Sequence, residues 1–358
     1  MGIYKINPEI HKAKTLPATF YRDQSLFDKS IESVFANSWQ FAGDSSFSDD
    51  FSIKPFQLLD GFLPEPLLLS KSGEDINCLS NVCTHRGNLL ISKPGKMKHL
   101  VCGYHGRKFD LEGKFEYMPQ FEGVEDFPAE CDNLAKVPIK DWRQFLFVSL
   151  DPKIEIESTL KAFDERVGFL PIEKFKFDQS RSMDYEINTH WALYCDNFLE
   201  GFHIPFVHHD LNEAISYPDY ETVLFDYCNL QIGTSKNETE CFDLPVGHID
   251  YGKKVAAYYF WVYPNMMFNF YPWGLSINIV KPINMNKTNV SFISYVWDES
   301  KIENSAGALL DSVEMEDEEV VEGVHLGLKS RFYQAGRFSP SMEKGVHHFH
   351  RLLSEFMG

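Results

Sequence analysis

Apolar positions change their period several times along the chain. Leu26, Ile31, Val34, Phe35 and Trp39 can share one face of a helix, which predicts helical structure within 20–42. From Trp39 to Asp151, short apolar runs such as Pro66–Ser70 and Phe145–Leu150 are separated by Gly, Pro, Asn and Asp, the texture of a small β-rich domain. A mixed, charged segment over 151–183 reads as the inter-domain connection. Four aromatic, alternating runs then predict an antiparallel sheet: Val255–Tyr263, Met266–Tyr271, Leu275–Lys281 and Val290–Trp297. Helical patterns bracket that sheet at Trp191–His203 and Ser305–Phe332. The expected organisation is an α+β chain with an N-terminal helical segment over 1–38, a β-rich domain over 39–152 and a second domain over 153–358.

Composition narrows the partners. The chain has 358 residues and a net charge of −18, and so acidic a surface repels phosphate backbones; nucleic acid is not an expected partner. No run reaches the roughly 18 apolar residues of a membrane span, and Met1–Phe20 lacks the apolar core of a signal peptide. Seven cysteines at irregular spacing argue against a disulfide framework. They suit a reducing, cytoplasmic setting, where paired cysteines more often hold metal. Aromatics reach 15%, a surplus that can line an apolar pocket once the core is filled.

The first chemical constellation is Cys83-Thr84-His85-Arg86-Gly87 followed by Cys102-Gly103-Tyr104-His105-Gly106. Each loop offers one thiolate and one imidazole, with glycine to permit a tight turn. Chance would leave buried thiols and core histidines. A structural zinc site also takes two Cys and two His, but zinc fingers pair Cys with Cys and His with His, whereas each half here is mixed. A [2Fe–2S] cluster with two Cys on one iron and two His on the other is the third reading. The two boxes, with Arg107-Lys108-Phe109-Asp110 and Gly113 after them, resemble those of Rieske non-haem iron oxygenases. The resemblance implies that Cys83 and Cys102 bind one iron of the cluster, and His85 and His105 the other.

The second constellation runs from Trp191 to His208. On a helix Asp196, Glu200 and His203 fall at i, i+4 and i+7, sharing one face, and Pro205 should end that helix at Ile204. His208 then returns from a loop, so His203 and His208 can grip one metal from two directions. The alternative is a helix end capped by histidines. Two histidines and a carboxylate would make a facial triad with open positions. The acid should come from Glu314–Glu322. Leu309, Val313, Val320, Val324 and Leu328 form an apolar stripe there, and Asp317 falls within it. Glu314, Glu318, Glu319 and Glu322 fall off it, and Glu316 sits at its edge. A carboxylate in a buried stripe is costly unless paired or metal-bound, so Asp317 is the expected third ligand, with Glu316 as the alternative. Asp196 and Asn197 are candidate supporting groups.

The Rieske oxygenase resemblance extends to this region, through the spacing of His203 and His208 and an Asp on a C-terminal helix. It implies a helix-grip second domain, a mononuclear Fe(II) on His203, His208 and Asp317, and a homotrimer in which the cluster of one subunit lies near the iron of the next. It also implies a separate reductase, with flavin and fed by NAD(P)H. Electrons would reach the iron through His105, Glu200 and His203, and O2 would be used to oxidise a small organic substrate. Glu200 stands where most of the family carries Asp and would bridge the two metal sites; an ordinary buried salt bridge is its alternative. The stretch Asp196–Phe206 looks more like choline, betaine and carnitine oxygenases than naphthalene-type enzymes. Tyr194, Phe202, Phe206, Trp261, Tyr263, Phe268, Phe270 and Trp273 are candidates for an aromatic cage around a quaternary ammonium, or else core. An arene or a demethylation substrate remains open, as does a non-enzymatic carrier with a Rieske domain fused to a ligand-binding domain. Cys78, Cys131, Cys195, Cys228 and Cys241 read as buried small hydrophobes, His209 as pointing away from the metal, and His347, His348 and His350 as helix-packing or surface groups.

Overall fold

The computed structural model describes residues 4–208, 216, 219–236, 241–302 and 310–358, with side chains in the last helix-bearing segment described from 313 onward. His209 and Leu309 lie outside the described residues. The chain divides into two compact units, residues 36–153 and residues 1–35 with 154–358. No helix among the described residues is long and apolar enough to cross a membrane.

In the unit of residues 36–153 the chain enters and leaves side by side. The amides of Asp151 and Lys153 donate to the carbonyls of Ala36 and Asn37, both at 3.0 Å. Strand β1 (Gln40–Asp44) pairs with β10 (Phe145–Val148), which pairs with β9 (Ile139–Trp142). A four-stranded antiparallel sheet runs β2 (Ile53–Leu59), β3 (Leu63–Ser72), β4 (Asp75–Ser80), β8 (Lys136–Val137). A small three-stranded sheet, β5 (Leu100–Val101), β6 (Lys108–Phe109) and β7 (Phe115–Tyr117), carries the second Cys–His loop between its first two strands. Ile53, Leu68, Leu79, Leu90, Ile91, Leu100, Phe109 and Leu134 form the core, and Cys83 and Cys102 are buried against it.

The second unit is built on one seven-stranded antiparallel sheet, ordered β11 (Lys176–Ile187), β17 (Lys287–Val296), β16 (Gly274–Asn284), β15 (Met266–Tyr271), β14 (Val255–Val262), β13 (Cys228–Thr234), β12 (Glu221–Leu224). The four strands expected from alternation are β14 to β17. Strands β11 to β13 carry mixed polar side chains and gave no clear period. Helix α1 (Gln24–Ser30) continues as a π-helical turn, Ile31–Ala36. The helical pattern therefore ends before Trp39, which leads into β1. Helix α2 (Glu157–Val167) occupies the segment expected to be connection, and its Phe163 packs between Phe260 and Phe268 of the sheet at ring separations of 4.8 and 5.2 Å.

Helix α3 (Trp191–Phe198) packs against α5 (Leu310–Gly327) and against β16. It stops at Phe198, short of the expected His203. The Glu200 carboxylate accepts from the backbone amides of Phe202 and His203, turning the chain out of the helix. Pro205 does not end a helix but stands in the first turn of a new one, α4 (Ile204–Val207), where its missing N–H costs nothing. The last helix, α6 (Lys344–Phe356), lies close enough to this bend that a Cβ on Gly345 would meet the Leu199 carbonyl oxygen at 2.3 Å.

Candidate active site

The two Cys–His loops close in the same way. Cys83 N donates to Asn88 O at 2.8 Å and Gly87 N to Cys83 O at 3.0 Å; Cys102 N donates to Arg107 O at 2.8 Å and Gly106 N to Cys102 O at 3.0 Å. Gly87 (φ 68°) and Gly106 (φ 75°) occupy the left-handed region that this closure demands. The turns place the His85 and His105 rings 4.8 Å apart, with both thiols buried beneath them. Burial pushes the Cys83 thiol above its ordinary value. Burial raises Cys102 too, but the amides of Tyr104 and His105 and the Asn88 side chain outweigh it and leave this thiol below its ordinary value. Asn88 Nδ2 donates to Cys102 Sγ at 3.6 Å. Arg107 lies fully buried under the loops among Phe109, Phe115 and Phe127, paired with Asp132 at 2.5 Å. Two buried sulfurs with one half-buried and one exposed imidazole, and an amide donor aimed at one sulfur, fit a cluster of mixed ligation.

In the other unit His203, His208 and Asp317 each point a ligand atom at one place, all within 4.8 Å of one another. His208 Nε2 lies 3.0 Å from Asp317 Oδ1 and His203 Nε2 3.6 Å from the same oxygen. The far nitrogen of each ring is held by a glutamate: His203 Nδ1 by Glu200 Oε1 and His208 Nδ1 by Glu316 Oε2, both at 2.7 Å. Asn197 Nδ2 donates to Asp317 Oδ1 at 2.6 Å. His208, with 1% of its side chain exposed, thus has a carboxylate oxygen at both nitrogens. A neutral ring would turn one lone pair on an anion, so this arrangement is satisfied either by a doubly protonated ring or by a metal cation between Nε2 and Asp317. Burial pulls the His208 imidazole down, but Asp317 and Glu316 outweigh it and leave it above its ordinary value. Two nitrogens and one oxygen with one side open suit Fe(II).

Asp196 faces another way. Its Oδ1 meets His350 Nε2 at 2.8 Å and its Oδ2 accepts from Tyr21 at 2.9 Å, while Leu16 N donates to His350 Nδ1 at 3.0 Å. It touches none of the three triangle residues. His347 and His348 are likewise buried with partners of their own, Asn7 O and Asn229 Oδ1, so the three C-terminal histidines pack helices and none lies at the surface. Cys78, Cys195 and Cys228 are buried as expected; Cys131 is exposed and Cys241 half-buried, because each sits in an irregular segment outside the cores.

A cavity of about 110 Å³ opens beside the triangle. Of the aromatic residues expected to line it, only Tyr194 does. Phe202 and Phe206 are exposed at 42% and 74%, and Trp261, Tyr263, Phe268, Phe270 and Trp273 are core. Tyr220, Tyr259, Tyr271, Phe198 and Phe292 line the cavity instead. Gln231, Tyr259 and Asn269 are register partners across β13, β14 and β15, forming a polar row on its wall. The signal was present as polar residues recurring within otherwise apolar strands. Glu314 was also misplaced: expected off the buried stripe, it is 4% exposed and lines the cavity, while Val324 is 45% exposed. The buried face of α5 follows Glu314, Val321 and His325 and continues to Leu328 just past its end, turned from the all-apolar stripe because Tyr194 donates to Glu314 Oε2 at 2.7 Å. Burial pushes the Glu314 carboxyl up to about 8.

Family models match both regions of the chain. Residues 172–358 match the ring hydroxylating alpha subunit (catalytic domain), and residues 54–128 match the Rieske [2Fe-2S] domain. The chain belongs to the ring-hydroxylating alpha subunits. It is a Rieske non-haem iron oxygenase, with a [2Fe–2S] cluster and a mononuclear iron. This alpha subunit is 26% identical to choline monooxygenase of Beta vulgaris, over 99% of its own length and 80% of that protein. It is 27% identical to the carnitine monooxygenase oxygenase subunit of Escherichia coli, over 98% and 95% of the two chains. A quaternary ammonium Rieske monooxygenase solved with L-carnitine superposes with a TM-score of 0.76 at 22% identity, covering 99% of this chain and 100% of that one. Naphthalene 1,2-dioxygenase with indole bound gives 0.72 at 17% identity, covering 99% and 95%. These likenesses carry the fold.

Proposed function

We propose that this alpha subunit hydroxylates a small quaternary ammonium substrate with O2, taking electrons from a separate reductase through its cluster. The carrying observation is the cavity wall beside the triangle: Tyr194, Tyr220, Tyr259 and Tyr271 around a buried carboxylate, Glu314. Aromatic faces favour a desolvated cation, and a cation beside Glu314 draws that carboxyl, pushed up to about 8 by burial, into its anionic form. The relatives named for choline and carnitine point the same way.

Cys83, Cys102, His85 and His105 are the proposed holders of the cluster, and His203, His208 and Asp317 of the iron, which when bound supplies reducing equivalents and open positions for O2. Glu200 fixes the His203 ring by its Nδ1 and leaves Nε2 to the iron; Glu316 does the same for His208. Asn197 steers Asp317. Asp196 ties α3 to α6 through His350 and acts by holding that helix in place. A homotrimer, with His105 of one copy within reach of Glu200 of the next, is carried from the resemblance. The solved carnitine-oxidising relative is described with inter-subunit electron transfer. Hydroxylation at an N-methyl carbon would end in N-demethylation.

The test is O2 uptake coupled to NADH through a surrogate reductase, with product measured alongside. Coupled oxidation of choline, glycine betaine or carnitine is expected, with naphthalene giving none. An electron carrier would instead reduce at the cluster, hold only that cluster's iron and turn over nothing.

A further inference from the structure

Three polar side chains on the cavity wall end in oxygens that have no partner among the described residues: Glu314 Oε1, Gln231 Oε1 and Asn269 Oδ1. All three residues are at least nine-tenths buried, at 4%, 1% and 3% exposure. Their orientation is set by what the other end of each group does. Gln231 Nε2 donates to Phe198 O at 2.6 Å, and Asn269 Nδ2 donates to Asn278 Oδ1 at 3.3 Å. Ser276 also donates to Asn278 Oδ1, which leaves the Asn278 amide N–H to hydrogen-bond Tyr194, and Tyr194 donates its O–H to Glu314 Oε2. The amide N–H groups and the Tyr194 hydroxyl are therefore consumed within the wall and their acceptor oxygens are left over, with the neutral hydroxyls of Tyr220 and Tyr259 as its other donors. Among the described lining residues there is no lysine or arginine. The two imidazoles at the corner, His203 and His208, already face the carboxylate of Asp317.

We propose that Glu314, with the acceptor oxygens of Gln231 and Asn269, makes this pocket select a monocation: an ammonium head with a neutral, hydrogen-bond-donating tail such as a hydroxyl. The inference rests on the quaternary ammonium reading above and chooses within it. A zwitterion of the same size brings a carboxylate, which is an acceptor only. Placed here it meets three acceptor oxygens and no side-chain cation, so only neutral tyrosine hydroxyls can replace its water and its charge stays unpaired. A hydroxyl in that place donates to Gln231 or Asn269, and the ammonium head meets Glu314 within the tyrosine walls. Glu314 is thus a specificity-determining residue, one helical turn before Asp317 on α5.

The test is anaerobic calorimetric titration of the iron-loaded holoenzyme with three ligands of similar size: choline, glycine betaine and the uncharged isostere 3,3-dimethylbutanol. Choline is expected to bind at least about tenfold more tightly than either of the others, since each tenfold is about 1.4 kcal/mol and an unpaired buried charge costs more than that. In Glu314→Gln, choline loses about tenfold or more while 3,3-dimethylbutanol keeps its affinity. Glycine betaine binding the wild type as tightly as choline overturns the proposal without any variant, and so does an unchanged choline preference in Glu314→Gln. If the wild type binds none of the three, the quaternary ammonium reading itself has failed, a result distinct from a zwitterion winning.

Discussion

Replacing Glu316 by alanine isolates what a carboxylate behind a metal ligand contributes. Glu316 Oε2 sits 2.7 Å from His208 Nδ1, while His208 is almost fully enclosed and Glu316 is 43% exposed. Removal leaves the ring free to rotate and to put its proton on the nitrogen that should face the iron. Loss of such a partner typically weakens metal binding by about 10- to 100-fold. A charge-assisted hydrogen bond is worth about 1.5–3 kcal/mol, and water reaching the exposed side of Glu316 screens it toward the lower end. The expected effect is therefore about a tenfold rise in the Fe(II) dissociation constant, near 1.4 kcal/mol. Glu200→Ala should cost more, because Glu200 is 14% exposed and holds two backbone amides as well as His203. Asp317→Ala should leave no measurable site. Anaerobic Fe(II) titration reads this directly, and the visible absorbance of the cluster serves as an internal measure of folded protein. Wild-type Fe(II) affinity in all three variants would refute the assignment of the triangle as the iron site.

Two further changes test the frame of the catalytic unit. Asp250, buried at 1% exposure, pairs with Arg166 at 2.5 Å and Lys253 at 2.8 Å, and although burial raises its carboxyl, hydrogen bonds from Lys253 and Arg166 hold it below the ordinary carboxylate range. Asp250→Ala should cost about 3–5 kcal/mol, seen as a lower melting temperature. Because the folded-state pKa is depressed, this stability is present above the unfolded carboxylate pKa of about 3.9 and is lost as pH falls through the folded value. The difference between wild type and variant should shrink below about pH 4; a gap constant down to pH 2 would rule the ion pair out as its cause. Gly345→Ala places a methyl 2.3 Å from Leu199 O, and overpacking of this kind costs about 1–3 kcal/mol. Since Leu199 precedes Glu200, iron content should fall together with the melting temperature, and a stabilised Gly345→Ala protein would contradict the close approach of α6.

Legibility in the sequence followed how local each constraint is. The Cys–His loops could be read because ligands and turn glycines lie within five residues of one another, and the closing hydrogen bonds are short-range. Strands β14 to β17 could be read because short runs of β-branched and aromatic residues mark strands even when both faces are buried. The α3 boundary could not: Glu200 breaks the helix with its own side chain, and Pro205, usually a stop, opens α4. The cavity wall was hidden for a different reason. Trp261 and Tyr259 stand on the same face of β14, yet one reaches core and the other cavity, a distinction made by the helices packed over the sheet. Glu314 was lost to a rule that buried faces are apolar, which fails where a tyrosine hydroxyl supplies the missing donor.

The catalytic unit is also a clasp made from distant stretches of chain. Thr15 N and Ala18 N donate to Gly336 O and Gln334 O, Leu16 N donates to His350 and Asn7 O meets His347. The cluster unit, by contrast, is one continuous stretch closed at Lys153. On the ribosome, then, the electron-storing half can fold and take up its irons early, whereas its host stays open until residues 334–350 emerge. Trimming residues 4–18 should accordingly loosen the iron site some 180 positions downstream while leaving the cluster's colour untouched.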